Sequence, residues 1–232
     1  MGLDHAHRPG GNPQPLTEVL VTLGCDDRCV TQTSAQHQIR VVPANQATWG
    51  DLQTILAGEG KGCQCQYFKL DDSGWHGGVD VAQRADQLRQ QTGCGGPTAA
   101  SSSGLVAYCD GVPAGWCAVE PRTRYPRLLK TRVPWAGRAE DKADDRVWAV
   151  TCFVVRKDYR RRGIARVLAL AAVSHAREQG AQAIEGYPRL ASDGQEMGDM
   201  ALYVGSREIF AATGYREVSR PTPRRAVMRV DL

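Results

Sequence analysis

The sequence predicts an α/β protein with a mixed central sheet covered by helices, and three observations carry that expectation. Val147 to Val155 is a run of β-branched and aromatic residues. Trp148, Val150, Cys152 and Val154 fall on one alternating face and Val147, Ala149, Phe153 and Val155 on the other. A strand apolar on both faces belongs in the middle of a covered sheet. Next, Ile164, Val167, Leu168, Ala171 and Ala172 recur at helical spacing and form one apolar stripe. Finally, the patterns along the chain run strand, two helices, three strands, helix, strand, helix and two strands.

Taken in order, the first segment (1–38) is rich in Gly, Pro, Gln, Thr and His and reads as a flexible N-terminal extension. Its one apolar patch, Leu16 to Leu23, suits a short strand or part of a helix. His5 and His7 read as solvated residues of that tail. Order is expected from Ile39, where Ile39 to Val42 forms a strand. Ala44 to Ala57 then carries Trp49, Leu52, Ile55 and Leu56 at helical spacing, stopped by Gly58 and Gly60. Cys63 to Leu70 reads as extended, Asp71 to Gly78 as a loop and Val79 to Gln91 as a polar helix. Two apolar runs flank Asp110-Gly111, the pair that suits the positive φ angles of a tight hairpin. Thr123 to Arg146 is a long loop that suits either a lid or a surface insertion. After the central helix, stopped by Gly180, come a strand (Ala181 to Tyr187), a loop (Arg189 to Asp199) and a helix (Ala201 to Ala212). Two closing strands follow, Tyr215 to Val218 and Ala226 to Val230.

At 232 residues and a net charge of +4, the chain suits one domain with an appendage and requires no polyanionic partner. No stretch has the length of a membrane span and no signal pattern opens the chain, so a cytoplasmic protein is expected. Of the eight cysteines, Cys109, Cys117 and Cys152 read as small buried hydrophobes in strands. Cys25, Cys29, Cys63 and Cys65 lack the C-x2-C spacing of zinc knuckles, and no metal is expected. Arg216, Arg220, Arg224, Arg225 and Arg229 raise nucleic-acid binding, but the mild charge and missing reader motif speak against it.

Arg160-Arg161-Arg162-Gly163-Ile164-Ala165 lies between the long strand and the central helix. The free N–H groups and positive dipole end of the helix face this turn, and Gly163 lets a ligand approach the main chain. A solvated basic turn is the plainer reading of three arginines; the flanking strand and helix overrule it. The unit resembles the central motif of GNAT-superfamily N-acetyltransferases: Arg or Gln, two residues, Gly, one residue, then Gly or Ala, directly after a long strand. Arg160, Gly163 and Ala165 fill the specified positions. The resemblance covers about Ile39 to Leu232 in element order, with motif-level matches from about Leu105 onward.

The resemblance implies a GNAT acyltransferase fold over 39–232, with a mixed central sheet of about six to seven strands flanked by helices. It implies acetyl-CoA as acyl donor and a primary amine, on a small molecule or a peptide, attacking directly in a ternary complex. Homodimerisation stays open. It also implies Trp75 and His76, in the Asp71 to Gly78 loop, as lining for a substrate pocket. The pyrophosphate is expected on Arg160, Arg161, Arg162, Gly163, Ile164 and Ala165, and the pantetheine arm on the backbone of Phe153, Val154 and Val155. Glu185 is the first candidate base, because a carboxylate in an apolar strand is costly unless solvated, paired or used. An edge carboxylate paired with an arginine is the competing reading, and Glu120 is the second candidate base.

Where the family's late helix carries Asn, a small residue and Tyr, this chain has Tyr203, Ser206 and Phe210 before Gly214-Tyr215. The usual thiolate-protonating tyrosine is therefore missing from its place. Tyr203 becomes the candidate acid, with Ser206 and Phe210 as cofactor contacts. Phe210 also raises a second class, a catalytically silent acyl-CoA-binding regulatory module. The acceptor itself is not readable.

Overall fold

A computed structural model describes residues 19–22, 37–99, 102–190 and 203–232. His5, His7, Cys25, Cys29 and most of the loop and helix start expected over 191–202 lie outside the described residues. Among these described residues eight strands form one sheet in the order β1-β2-β3-β4-β5-β6-β8-β7. They are β1 (Val19–Thr22), β2 (Gln38–Pro43), β3 (Leu105–Cys109), β4 (Val112–Pro121), β5 (Val147–Val155), β6 (Ala183–Gly186), β7 (Arg216–Thr222) and β8 (Arg225–Asp231). The strand beyond the expected six to seven is β1. It pairs antiparallel with β2 and so brings part of the N-terminal segment onto the sheet edge. All other neighbours are antiparallel except β5 and β6, which run parallel and are joined through a helix.

That helix is α4 (Ile164–Glu178), following α1 (Trp49–Leu56), α2 (Val81–Thr92) and α3 (Pro126–Lys130), with α5 (Arg207–Ala211) last. Ile164, Val167, Leu168, Ala171 and Ala172 of α4 are buried with Val41, Ala107, Val119, Val150 and Phe153 of the sheet. Gly115 permits this approach, since a Cβ there would come within 2.7 Å of the Ile164 side chain. On the other face Leu52, Ile55 and Leu56 of α1 and Leu88 of α2 pack with Val106, Trp116 and Cys152. Helix α2 starts from a capping box in which Asp80 accepts from Gln83 N–H and Gln83 caps Asp80 in return. The β3–β4 hairpin turns at Asp110 (φ 51°) and Gly111 (φ 78°), the left-handed pair expected there.

Three stretches differ from the sequence expectation. Cys63 to Leu70 is a series of turns rather than a strand, with Gln64 and Cys65 at φ 47° and 52°. The Thr123–Arg146 stretch is not a free lid. It folds into short helical turns whose Tyr125, Leu128 and Trp135 are buried against Ala149, Tyr187 and Val227. Burial of three large side chains holds it on the sheet. In β5 the alternation changes phase: Ala118 faces Cys152 while Val119 faces Val150, which leaves Thr151 as a bulge. Trp148, Val150 and Phe153 therefore share the α4 face, whereas Cys152 and Val154 join the α1 and α2 face. One inserted residue inverts every side chain after it.

His175 on α4 is buried, with its ring edge-on to Trp148 at 5.5 Å and Nε2 unpartnered. Burial alone pushes its pKa down from 6.5 to about 4. The unfolded chain therefore takes up this proton first as pH falls. Stability from the neutral ring is complete above pH 6.5 and is lost between 6.5 and about 4, by up to roughly 3 kcal/mol. His175→Leu is expected to flatten the stability–pH curve in that window. Denaturant unfolding at several pH values measures it, and an unchanged slope would refute the assignment.

Candidate functional site

The pairing between β5 and β6 stops at Val150 and Gly186, level with the Thr151 bulge. Beyond it Cys152–Val155 keep β4 on one edge, and the opposite edge has no β6 partner. A cavity of about 900 Å³ opens along that edge. Cys152, Phe153, Val154 and Val155 line its middle, and Tyr159, Arg160, Arg161, Gly163, Ile164, Ala165 and Arg166 line one end. Tyr67, Trp75, Arg189 and Tyr203 also belong to the lining, with Gly205 just before α5 and Ile209 within it.

At the α4 end, Arg161 (φ 62°) and Gly163 (φ 78°) both take the left-handed conformation. Gly163 is the N-cap of the 15-residue helix and no side chain caps it. The first-turn N–H groups thus remain donors for an anion, reinforced by the helix dipole. Arg160 ion-pairs with Glu59 at 2.6 Å and donates through Nε to Val155 C=O at 3.4 Å. The second arginine after it points elsewhere. Arg162 sits over the Tyr159 ring at 4.9 Å, donates to Asp158 C=O at 3.0 Å and does not line the cavity.

The other end is aromatic. Tyr67 meets Trp75 edge-on at 5.1 Å and Tyr203 at 6.4 Å between ring centroids. Arg127 stacks on Tyr67 at 4.5 Å and Arg84 on Trp75 at 4.3 Å, which stiffens this wall from behind. Burial raises the Tyr203 phenol above its usual range, so it keeps its proton at neutral pH. Cys63, Cys65 and Cys152 add sulfur to the lining. Burial pushes Cys63 up to about 11. Cys65 lies 3.3 Å from Cys152 and accepts from the Trp116 indole at 3.1 Å. Held as thiols by burial, Cys63 and Cys65 add a soft apolar surface rather than nucleophiles.

The cavity gathers Phe153, Val154, Val155, Arg160, Arg161, Gly163, Ile164, Ala165 and Tyr203, all singled out from the sequence. It does not gather Arg162, Ser206, Phe210, Glu120 or Glu185. Phe210 is fully buried between Phe153 and Tyr215, and its ring fills the space over Gly186 that a Cβ would occupy. Ser206 is spent as the N-cap of α5, accepting from Ile209 N–H at 3.2 Å. Glu120 is paired with Lys69 and accepts from the Ser103 hydroxyl.

Glu185 needs the larger correction. Its carboxylate is fully buried outside the cavity lining, clasped by Arg138 and by Arg229 at 3.0 Å. The Tyr187 hydroxyl donates to it at 2.8 Å and Arg122 stands 3.8 Å away. A carboxylate held by this many donors is the hub of a structural network. The long stretch before β5 explains it, because that stretch brings in Arg138. Glu59, Cys152, Tyr159, Arg189 and Ile209 were missed in the sequence. Of these only Arg189, directly after the strand that leaves β5, carried a signal in its position. Trp75 lines the cavity as anticipated, while His76 does not.

No curated protein matches the sequence. Solved structures with a similar fold include a ribosomal-protein-alanine N-acetyltransferase from Brucella melitensis. It is 17% identical, with a TM-score of 0.47 over 83% of this chain and 99% of that one. The GNAT domain of S. lividans PAT is 16% identical, with a TM-score of 0.47 over 84% and 91% of the two chains. The yncA protein from Salmonella typhimurium, solved with its cofactor acetyl-CoA, is 13% identical, with a TM-score of 0.46 over 83% and 93%. The family model described as "Acetyltransferase (GNAT) family" matches residues 75–191, half of the chain, from the aromatic wall through β5, α4 and β6. That match spans the cavity's main walls, and the chain belongs to the GNAT acetyltransferase family.

Proposed function

We propose that this protein transfers an acetyl group from acetyl-CoA to a primary amine by direct attack within a ternary complex. The observation that carries this reading is the free edge of β5 after the Thr151 bulge, running straight into the uncapped start of α4. The residues present fit the cofactor. Left-handed Arg161 and Gly163 present main-chain donors where a pyrophosphate needs them. The edge of Cys152–Val155 offers main-chain groups to an extended amide arm. When bound, acetyl-CoA supplies an activated acetyl group: the amine nitrogen bonds to the acetyl carbon, the carbon–sulfur bond breaks, and the proton lost by the amine balances the one gained by sulfur.

The chain's own residues then have distinct tasks. The soft wall of Cys63, Cys65 and Cys152 excludes water from the reacting end. Tyr203 holds a proton on a phenol that lines the cavity and is the candidate donor to sulfur. Among the described residues neither Glu185 nor Glu120 lines the cavity, and Glu59, which does, is paired with Arg160, so the amine arrives neutral or loses its proton through water. Acetyl-CoA is expected to raise the thermal midpoint, and thiol release should follow amine addition. Tyr203→Phe is expected to lower kcat by about a hundredfold while leaving the acetyl-CoA shift intact. Absence of any shift at millimolar acetyl-CoA would overturn the reading. A shift without turnover over a broad amine panel would favour the silent binding module.

A further inference from the structure

Among the described residues, two arginines, Arg189 in the cavity lining and Arg225 beside it, have no anion to hold. Arg189 lines the cavity just past β6, and its Nε is buried without a hydrogen-bond partner. Its main chain bridges to Arg225 at the start of β8, and Leu190 N–H donates to Arg224 C=O at 3.0 Å, so Arg189 and Arg225 stand side by side. Burial and the neighbouring Arg189 charge both hold the Arg225 guanidinium below its usual pKa range. Among the described residues neither arginine has a carboxylate at ion-pair distance. Of the other arginines that line the cavity, Arg160 is paired with Glu59, while Arg161 and Arg166 stand at the α4 turn with its main-chain donors. Two adjacent, half-buried like charges are unfavourable until something negative joins them.

Their position says which ligand that is. Tyr203 feels the charge of both arginines, and Arg225 also feels Tyr67. The pair therefore belongs to the Tyr67, Trp75 and Tyr203 end. The α4 turn, with its own arginines and main-chain donors, adjoins Val155, where Arg160 donates to the carbonyl. Tyr203 instead packs against the cluster that holds Cys152, at the start of this stretch of β5.

Building on the acetyl-transfer reading, we infer that the acceptor is an amine that also carries a carboxylate, held by Arg189 and Arg225. The planar guanidinium fork matches a carboxylate with two parallel N–H···O bonds. The aromatic wall takes the apolar portion between the two groups, and the amine is directed toward the free β5 edge. A neutral amine would leave both guanidinium groups unpaired in the complex, which selects against it.

The test uses the full chain and matched acceptors, for example phenylalanine, phenylalaninamide and phenethylamine, with an aliphatic set such as leucine, leucinamide and isopentylamine. Carboxylate-bearing members are expected to be preferred in kcat/KM by about tenfold or more. Arg189→Gln and, separately, Arg225→Gln should abolish that preference through KM and leave the acetyl-CoA thermal shift unchanged. A binding arm covers the case of no turnover. N-acetylated amino acids should stabilise the CoA-bound protein more than their amides do, and Arg189→Gln should erase the difference. Equal use or equal binding of carboxylates and amides would overturn the inference, as would a preference that survives both substitutions. Loss of the acetyl-CoA shift in Arg189→Gln would also overturn it, by assigning the arginine to the donor. Failure of acetyl-CoA to bind the parent protein would instead strike the acetyl-transfer reading itself.

Discussion

Glu185→Ala is expected to lower the unfolding free energy by about 3–5 kcal/mol. The cost comes less from a lost attraction than from what remains. Arg138 and Arg122 are buried with side-chain exposures of 6% and 1%, and Arg229 is only 19% exposed. Removing the shared carboxylate leaves Arg122 and Arg138 with Glu140, which is itself 38% exposed, and Arg229 with Glu140 and the 70% exposed Asp231. The Tyr187 hydroxyl also loses its acceptor. Removing Arg138 together with Glu185 should recover part of the loss, because the pair then disappears as a unit. Urea unfolding of the single and double variants checks both statements. A single variant that stays within about 1 kcal/mol of the parent while losing turnover would restore Glu185 as a base and refute the structural assignment.

The second large effect is expected at the α4 turn. Gly163→Val places a β-branched residue at φ 78°, a conformation such residues avoid, and costs about 1–3 kcal/mol in strain. Relief of that strain re-aims the first-turn N–H groups, so donor affinity should fall by at least about tenfold. Arg162→Gln is the matching control. Its guanidinium is committed to Tyr159 and to Asp158 C=O, so the acetyl-CoA thermal shift should survive. Calorimetric titration of both variants measures the contrast. Equal losses in the two variants would mean that the turn acts through charge rather than through main-chain geometry.

These two predictions sit on opposite sides of what the sequence reveals. The α4 turn was legible because its requirements are local. A left-handed glycine, a helix start and a preceding apolar strand are adjacent in the chain and fix one another's geometry. The same holds for the Asp110-Gly111 hairpin, the stripe of α4 and the stop at Gly180. Glu185 was legible only as an unusual carboxylate in an apolar strand. Both readings, base and ion-pair member, were compatible with that. The partners that decide between them, Arg122, Arg138 and Arg229, come from three separate stretches of chain.

Phe210 makes the same point from the other direction. Its spacing in the late helix suggested a site residue, yet the glycine at position 186 gives its ring a place in the core. Tyr203, at the first position of the same late-helix pattern, lines the cavity instead.

What the sequence determined by itself was the donor half of the molecule: the long apolar strand, the basic glycine turn, the helix behind it and the order of elements around them. Periodicity and turn chemistry act over a few residues and need no distant partner to be read. Tertiary structure decided the phase of β5 after Thr151, where one bulged residue exchanged Phe153 with Cys152 and Val154 between faces. It also decided, among the described residues, which carboxylates are engaged by arginines. Those outcomes depend on strand pairing and on charges brought together across the sheet, and neither has a signature along the chain.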